Sequence, residues 1–277
     1  MLKTRVITAL IMLAILLPVL FLLPPVYLSA LFFMMLVAAG WEWSRLITPN
    51  ANRSAYIYAL ICAVIVALLW LSAEPSIEIA LLSIALAFWL FGMPFILSQG
   101  LHLSLLRWRL VFSVLGFIIL PAAWLSLDVL REIGLVWLLS AMILVWLADI
   151  GAYFVGRAIG KNKLASQISP GKSIEGALGG LALCLIYAIL CCMYFPPSET
   201  LFGTWQAKWG WGAMLFMTAI LVLFSVLGDL FESQLKRLAK VKDSSQLLPG
   251  HGGFLDRVDA LLPVMPLATL FSIMVRA

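Results

Sequence analysis

The stretch IGLVWLLSAMILVWLADIGAYFV, residues 133–155, decides the class of fold. Asp149 is its only charged residue. About 20 predominantly apolar residues are enough for a helix to cross the hydrocarbon core of a bilayer. The run is too long and too uniformly apolar for the alternating strands of a membrane barrel. The stretch therefore predicts a transmembrane helix.

The composition of the whole chain supports the same class. Of its 277 residues, 64% are hydrophobic and 11% are charged, whereas in ordinary globular domains about half are apolar and about a quarter are charged. A soluble protein of this length cannot bury so much apolar surface in one core. A soluble enzyme, a disordered chain and a nucleic-acid-binding domain are thereby excluded. We expect an all-α, polytopic membrane protein.

Nine apolar segments of near-spanning length divide the chain, which predicts about nine transmembrane helices. They cover residues 6–23, 26–43, 55–73, 77–97, 110–127, 133–155, 174–195, 211–230 and 260–275. The first follows Lys3 and Arg5 and so imitates a signal peptide. Its apolar run exceeds the roughly 7–15 residues usual for a signal peptide, so we interpret it as a retained span.

The loops predict the orientation of these spans. If the N-terminus lies in the cytosol, only Arg131, Lys208 and Arg276 of the 18 basic residues fall on the outer side. Cytosolic loops of membrane proteins carry an excess of Lys and Arg. We therefore expect a cytosolic N-terminus and a C-terminus outside.

The acidic residues divide the chain into two regions. Before residue 140 they lie at span ends or in loops. Beyond it, all but Glu199 lie near the cytosolic ends of spans or in cytosolic loops: Asp149, Glu175, Asp229, Glu232, Asp243, Asp256 and Asp259. This distribution predicts scaffold helices at 1–132 and a catalytic region at 133–277, with a polar site on the cytosolic side.

Asp149 lies inside the sixth predicted span. A lone carboxylate at that depth costs about 2.5–3.5 kcal/mol on insertion scales, so it is a functional candidate, with a structural ion pair as the alternative. Small residues recur around it at four-residue spacing: Ala148, Ala152, Gly156 and Gly160. Such a ladder predicts close packing against another helix.

The segment SPGKSIEG, residues 169–176, leads into the seventh span. It is not a P-loop, because Ser166 stands where that motif requires its first glycine and we expect no preceding strand. Free N–H groups and the positive end of the helix dipole still favour anion binding there. An ordinary helix cap at Ser169 or Ser173 is the alternative.

Acidic and basic residues alternate in GDLFESQLKRLAKVKDSSQLLPGHGGFLDRVD, residues 228–259. A basic helix could simply contact anionic lipid, but that does not explain the carboxylates. Mg²⁺ takes one or two carboxylates and bridges phosphate oxygens, while Lys and Arg hold the remaining phosphate charge. The stretch predicts Mg²⁺-dependent phosphoryl-type chemistry at the membrane interface. For His251, a hydrogen-bonded turn histidine is the alternative.

The same stretch resembles the signature of the phosphatidate cytidylyltransferases, also called CDP-diacylglycerol synthases. The matching residues are Ser233-Gln234-Leu235-Lys236-Arg237, Lys242-Asp243 and His251-Gly252-Gly253-Phe254-Leu255-Asp256-Arg257-Val258-Asp259. Asp149 and residues 169–176 are similar to other polar landmarks of that family. The resemblance implies a multi-pass enzyme of the inner (cytoplasmic) membrane that converts CTP and phosphatidate into CDP-diacylglycerol and pyrophosphate on the cytosolic side.

Roles for the candidate site residues follow from this resemblance and from residue chemistry. We expect Asp229 and Asp256 to bind Mg²⁺ and to be catalytic, with Asp149 and Asp259 as weaker metal candidates. Lys236, Arg237 and His251 complete the catalytic set. Substrate binding is assigned to Ser233, Lys242, Arg257, Lys172, Ser173 and Glu175.

The expected partners are CTP, phosphatidate and membrane lipid, without nucleic acid, and a homodimer is left open. Two other functions compete with this hypothesis. A transporter or flippase would use buried acids near the bilayer midplane to bind a coupling ion. A scaffold would use its basic face to bind anionic lipid and should tolerate Asp→Asn changes.

Overall fold

The computed structural model describes residues 2–49, 52–72 and 74–276 and is built almost entirely of helices. The helices are α1 (Leu2–Phe21), α2 (Pro25–Ile47), α3 (Asn52–Ser72), α4 (Pro75–Ala87), α5 (Met93–Ser98), α6 (Leu105–Ile133), α7 (Leu135–Ile159), α8 (Ile174–Tyr194), α9 (Leu201–Leu238), α10 (Leu255–Val258) and α11 (Leu261–Arg276). A π-helical turn at Phe88–Gly92 joins α4 to α5. The predicted all-α class is confirmed.

Within the described ranges, eight helices are long and apolar enough to cross a membrane, with Pro75–Ser98 taken as one. The ninth predicted span corresponds to α11, which is apolar but shorter. The third predicted span ends at position 73, which lies outside the described residues. The chain is a multi-pass membrane protein.

Helix α9 departs most from the sequence prediction. The eighth span was expected at 211–230, whereas the helix continues to Leu238 and contains a break at Gly210, where φ is 82°. Glycine adopts such a positive φ without a steric penalty. Because the helix continues past residue 230, Asp229, Ser233 and Arg237 lie on successive turns of one rigid element.

A short antiparallel hairpin connects α7 to α8. Strand β1 (Lys163–Ala165) pairs with β2 (Ser169–Ser173). The expectation that no strand precedes the segment 169–176 is wrong, since β1 lies just before it. Strands this short carry no hydrophobic periodicity that could have revealed them.

Helices α7 and α8 pack closely through the predicted ladder of small residues. A Cβ atom added at Gly180 would lie 2.5 Å from the carbonyl oxygen of Ala148, and one added at Gly176 would lie 2.7 Å from that of Ala152. The packing prediction is confirmed. The contact fixes α7, which carries Asp149, against the start of α8.

The N-terminal and C-terminal halves share one core. Phe231 of α9 packs edge-on against Trp89, with ring centroids 5.5 Å apart, and also contacts Trp43 of α2 at 6.1 Å. All three rings are buried. The division at residue 132 stays a prediction, but the polar end of α9 rests on helices of the predicted scaffold.

Candidate active site

Asp229 is the centre of the first group of site residues. It lies on α9, and its carboxylate forms an ion pair with Lys172 of β2. The hydroxyl of Ser233, one turn further along α9, donates a hydrogen bond to Asp229 Oδ1 at 3.2 Å. Helix α9 and the hairpin thus bring together three residues that the sequence assigned to the site.

Two more carboxylates interact electrostatically with Asp229. Asp149 of α7 interacts electrostatically with Asp229, Lys172 and Arg257. Asp259 follows α10 directly, and burial together with the Asp229 carboxylate raises the pKa of Asp259 to about 8. Neighbouring carboxylates repel one another unless a cation lies between them. We call Asp149, Asp229 and Asp259 the acidic group, because Asp229 interacts with each of the other two.

Asp256 has different surroundings. Its Oδ1 accepts a hydrogen bond from Lys236 Nζ at 2.6 Å, and its Oδ2 accepts from Ser244 N, Ser244 Oγ and Gly253 N at 2.8–2.9 Å. Burial acts to raise the pKa of Asp256, but the hydrogen bonds from Lys236 and Gly253 outweigh it and lower that pKa. With both oxygens occupied, Asp256 holds the chain between α9 and α10 in place. We call this segment, residues 239–254, the signature loop.

Lys236 connects α9 to α10. It forms ion pairs with Glu232, one turn earlier on α9, and with Asp256. Glu232 is buried. Lys236 therefore neutralises two carboxylates at once. Because Asp256 lies on α10, the ion pair also holds α10 against α9.

The hairpin is held in place by two residues that the sequence assigned to the site. Arg237 Nε donates to the carbonyl oxygen of Ile168 at 3.4 Å. The Glu175 carboxylate accepts hydrogen bonds from the backbone N–H groups of Lys161 and Asn162 at 3.1–3.2 Å. Both contacts position the backbone that carries Lys172.

Ser173 occupies the N-cap of α8, where its Oγ accepts a hydrogen bond from Gly176 N at 3.1 Å. The capping alternative is therefore confirmed at this position. Lys242 and Arg257, assigned to substrate binding, are both exposed. Their side chains are accessible to a ligand that approaches from solvent.

His251 lies at the end of a tight turn in the signature loop. Its N–H donates to Leu248 O at 2.8 Å, and Gly250 has a φ of 80°. Pro249 followed by glycine at positive φ is typical of a type II turn, so the turn prediction is confirmed. His251 is half-buried, and its Nδ1 atom is buried and has no hydrogen-bond partner among the described residues.

Glu42 is the residue of this region that sequence reasoning missed. It lies on α2, within the predicted scaffold, and is fully buried. Its carboxylate accepts hydrogen bonds from the hydroxyls of Ser244 and Ser245 and from the backbone N–H groups of Phe254 and Leu255. An acid inside the motif WEWS at a span end was the available signal, because a buried charge requires partners.

The acidic group fits a metal that shares its ligands with a substrate. Within residues 2–49, 52–72 and 74–276, no three Asp, Glu, His or Cys side chains lie close enough to hold a metal by themselves. Mg²⁺ usually takes one or two protein carboxylates and completes its octahedron with water and substrate phosphates. Asp229 and its acidic neighbours match that requirement.

These features define a multi-pass helical membrane protein whose carboxylates and basic side chains meet where α8, α9 and α10 begin or end. The family model described as "Cytidylyltransferase family" matches residues 3–275, and the chain belongs to this family. Among its relatives, the phosphatidate cytidylyltransferase of Pseudomonas aeruginosa is 40% identical over 271 residues, covering 96% of this chain and 95% of the relative. Those of Haemophilus influenzae and Staphylococcus aureus are each 35% identical, over 98% of this chain. The family resemblance drawn from residues 149–259 is confirmed.

Proposed function

We propose that this protein transfers the cytidylyl group of CTP to phosphatidate, forming CDP-diacylglycerol and pyrophosphate. One observation carries the proposal: relatives named phosphatidate cytidylyltransferase are 35–40% identical to it across nearly the full length of both chains. Asp149 lies near the middle of α7, but Asp229 lies in the last third of α9 and Asp256 and Asp259 lie in or directly after the short helix α10. This displacement of most of the acids from the middle of the spans favours an interfacial enzyme over a transporter.

The chemistry needs alignment more than a strong base. A phosphate oxygen of phosphatidate attacks the α-phosphorus of CTP, the bond from that phosphorus to the bridging oxygen breaks, and pyrophosphate leaves with the bond electrons. The nucleophile is already ionised near pH 7. Catalysis therefore consists of aligning the two phosphates and neutralising the charge that develops on them.

Four basic side chains of the hairpin, α9, the signature loop and α10 are proposed to hold that phosphate charge. Lys172, Arg237, Lys242 and Arg257 come from the hairpin, α9, the signature loop and α10. Arginine binds phosphate through two parallel hydrogen bonds, which suits Arg257 because it is exposed and interacts electrostatically with Asp149. His251 Nδ1 offers one more polar contact.

Mg²⁺ is the proposed cofactor, and when bound it would neutralise charge on the phosphates of CTP. Asp229 is its principal ligand in this proposal. The repulsion of Asp229 by Asp149 and by Asp259 supports a cation beside Asp229, whose side chain is 28% exposed. Asp256 is only 4% exposed and accepts four hydrogen bonds from the protein, which supports a positioning role for that residue. Asp256 was the second metal ligand expected from the sequence, and combined Asn substitutions separate the two assignments.

The site is proposed to lie on the cytosolic face of the inner (cytoplasmic) membrane, in a chain of nine spans with a cytosolic N-terminus and an external C-terminus. The excess of basic residues on the site side supports this orientation. In α1, Thr8 Oγ1 donates to Pro249 O at 2.8 Å, so the start of the chain and the signature loop share one side. A homodimer stays a prediction, which chemical cross-linking in native membranes would test.

The direct test is product formation by the purified protein. Detergent-solubilised protein should convert labelled CTP and phosphatidate into CDP-diacylglycerol and pyrophosphate, and chelation of Mg²⁺ should stop the reaction. Diacylglycerol is the matched control substrate, because it has the same chains without the nucleophilic phosphate. Absence of product from correctly folded protein would contradict the proposed function.

Arg237 and Lys240 should respond differently to truncation. Arg237 touches the hairpin, whereas Lys240 lies just beyond α9 at a φ of 58° with an exposed side chain. We expect Arg237→Ala to raise the KM for substrate by roughly 10-fold or more, which corresponds to the free energy of one hydrogen bond to a charged group. Lys240→Ala should leave the KM nearly unchanged. Steady-state kinetics in mixed micelles measure both, and equal losses would rule out this division of roles.

A further inference from the structure

We propose that Glu42 is a positioning residue for cytidylyl transfer. It fastens the signature loop to α2 and thereby sets where Arg257 and Asp259 lie relative to Asp229. This inference deepens the proposed function and rests on it. It also gives a helix of the predicted scaffold a direct part in the geometry of the site.

The hydrogen bonds of Glu42 join the two ends of the loop. Oε1 accepts from Ser245 Oγ at 2.5 Å and from Phe254 N at 3.0 Å. Oε2 accepts from Ser244 Oγ at 3.2 Å and from Leu255 N at 2.6 Å. Each carboxylate oxygen thus holds one residue from the first half of the loop and one from the start of α10.

The carboxylate is enclosed, and its four partners are neutral donors. Glu42 has no solvent exposure, and a buried charge without such partners is strongly destabilising. The four donors converge only when the loop is folded back on α2. Glu42 therefore selects one loop conformation, which an apolar residue at this position would not do.

Close packing around the carboxylate supports the same role. A Cβ atom added at Gly253 would collide with Glu42 Oε1 and with the hydroxyl of Ser244. Only glycine leaves room for the loop backbone to approach the carboxylate this closely. Glu42 on α2 and Gly253 in the signature loop therefore fit each other sterically.

The contact with Glu42 reaches the site by two routes. Its bonds to Phe254 and Leu255 satisfy N–H groups at the start of α10, which would otherwise lack partners, and α10 carries Asp256 and Arg257. Ser244 is also hydrogen-bonded to Asp256. A shift of the loop away from Glu42 therefore moves α10 directly.

Three variants test the contact. Glu42→Gln keeps the size of the side chain but places an NH₂ group opposite a backbone N–H that cannot become an acceptor. Ser245→Ala removes one of the four hydrogen bonds to Glu42, together with the bond that Ser245 Oγ accepts from Leu247 N at 3.1 Å. The other three bonds to Glu42 remain, so this variant is informative if Glu42→Gln does not fold. Ser44→Ala is the matched control, because this buried residue is on the same helix and its hydroxyl makes no hydrogen bond to the loop in the described structure.

Each variant is measured in two ways on the full-length protein in detergent. The first is kcat and KM for CTP with phosphatidate and Mg²⁺. The second is amide hydrogen–deuterium exchange in wild type and variants. We expect Glu42→Gln to lower kcat by roughly 10–100-fold, as loss of a supporting partner typically does, with faster exchange confined to residues 243–258. Ser245→Ala should show a smaller loss of the same kind, and Ser44→Ala should match wild type.

Three results would overturn the inference: an unchanged kcat in Glu42→Gln, unchanged exchange in the loop, or exchange that rises equally in α7 and α8. The last would show a general stabilising role. If the wild-type protein forms no CDP-diacylglycerol, the proposed function fails, but the exchange measurement still decides whether Glu42 holds the loop.

Discussion

Replacing Asp229 by asparagine will abolish nearly all turnover while the protein still folds and inserts. The amide has the size of the carboxylate but lacks its charge. Asp229 forms an ion pair with Lys172, accepts a hydrogen bond from Ser233 and interacts with two other carboxylates, and in the proposed function it is the principal Mg²⁺ ligand. We expect kcat to fall by about 10³-fold, equivalent to about 4 kcal/mol of transition-state stabilisation.

The metal assignment is decided by combining variants. If Asp229 and Asp259 hold one ion, the double Asn variant should be scarcely worse than either single variant. The reason is that each single substitution already disables the shared metal site. The same comparison for Asp229 with Asp256 tests the pairing expected from the sequence. The pair with the stronger non-additivity identifies the ligands.

A Mg²⁺ titration of activity accompanies each variant, with Glu132→Gln as a control. Glu132 is an exposed carboxylate at the far end of α6, remote from the acidic group. Removing its charge should leave both turnover and the Mg²⁺ midpoint unchanged. Near-normal turnover of Asp229→Asn, with an unchanged Mg²⁺ dependence, would show that Asp229 is not a metal ligand.

What the sequence could predict was set by local spacing. The ladder at Ala148, Ala152 and Gly156 predicted a close helix contact, because residues four apart share one face of a helix. The cap at Ser173 and the turn at Pro249-Gly250 follow from equally local preferences. Hydropathy placed a span at 211–230 but does not show that the helix continues to Leu238, since a helix continues through charged residues as long as they are good helix formers.

Contacts between distant residues could not be predicted in this way. Glu42 and Ser244 are 202 positions apart in the chain, and hydropathy places Glu42 only at the end of a span. Similarly, the sequence placed Asp229 and Asp256 on the same side of the membrane and predicted that they share one metal, without indicating their other neighbours. The fold pairs Asp256 with Lys236 and places Asp259 within the field of Asp229.

Replacing Lys236 by methionine should cost both stability and turnover. Methionine keeps an unbranched side chain of similar length without the charge. The side chains of Glu232 and Asp256, which Lys236 pairs, are only 1% and 4% exposed. Removing one partner of a buried ion pair typically costs about 3–5 kcal/mol, because the remaining charge is left uncompensated. Thermal unfolding in detergent should show a clear fall in Tm, and CDP-diacylglycerol formation should be lost.

A second substitution separates the structural role of Lys236 from a direct role at the substrate. Adding Glu232→Gln to Lys236→Met removes one of the two uncompensated charges. The double variant should therefore recover part of the lost stability, which a double-mutant cycle measures. Turnover should recover with it if Lys236 acts by holding α10 through Asp256. If Tm recovers and turnover stays low, Lys236 also binds the phosphates of the substrate. If Lys236→Met loses turnover with no fall in Tm, the ion pairs contribute nothing to the fold, and the direct role expected from the sequence is the whole of its function.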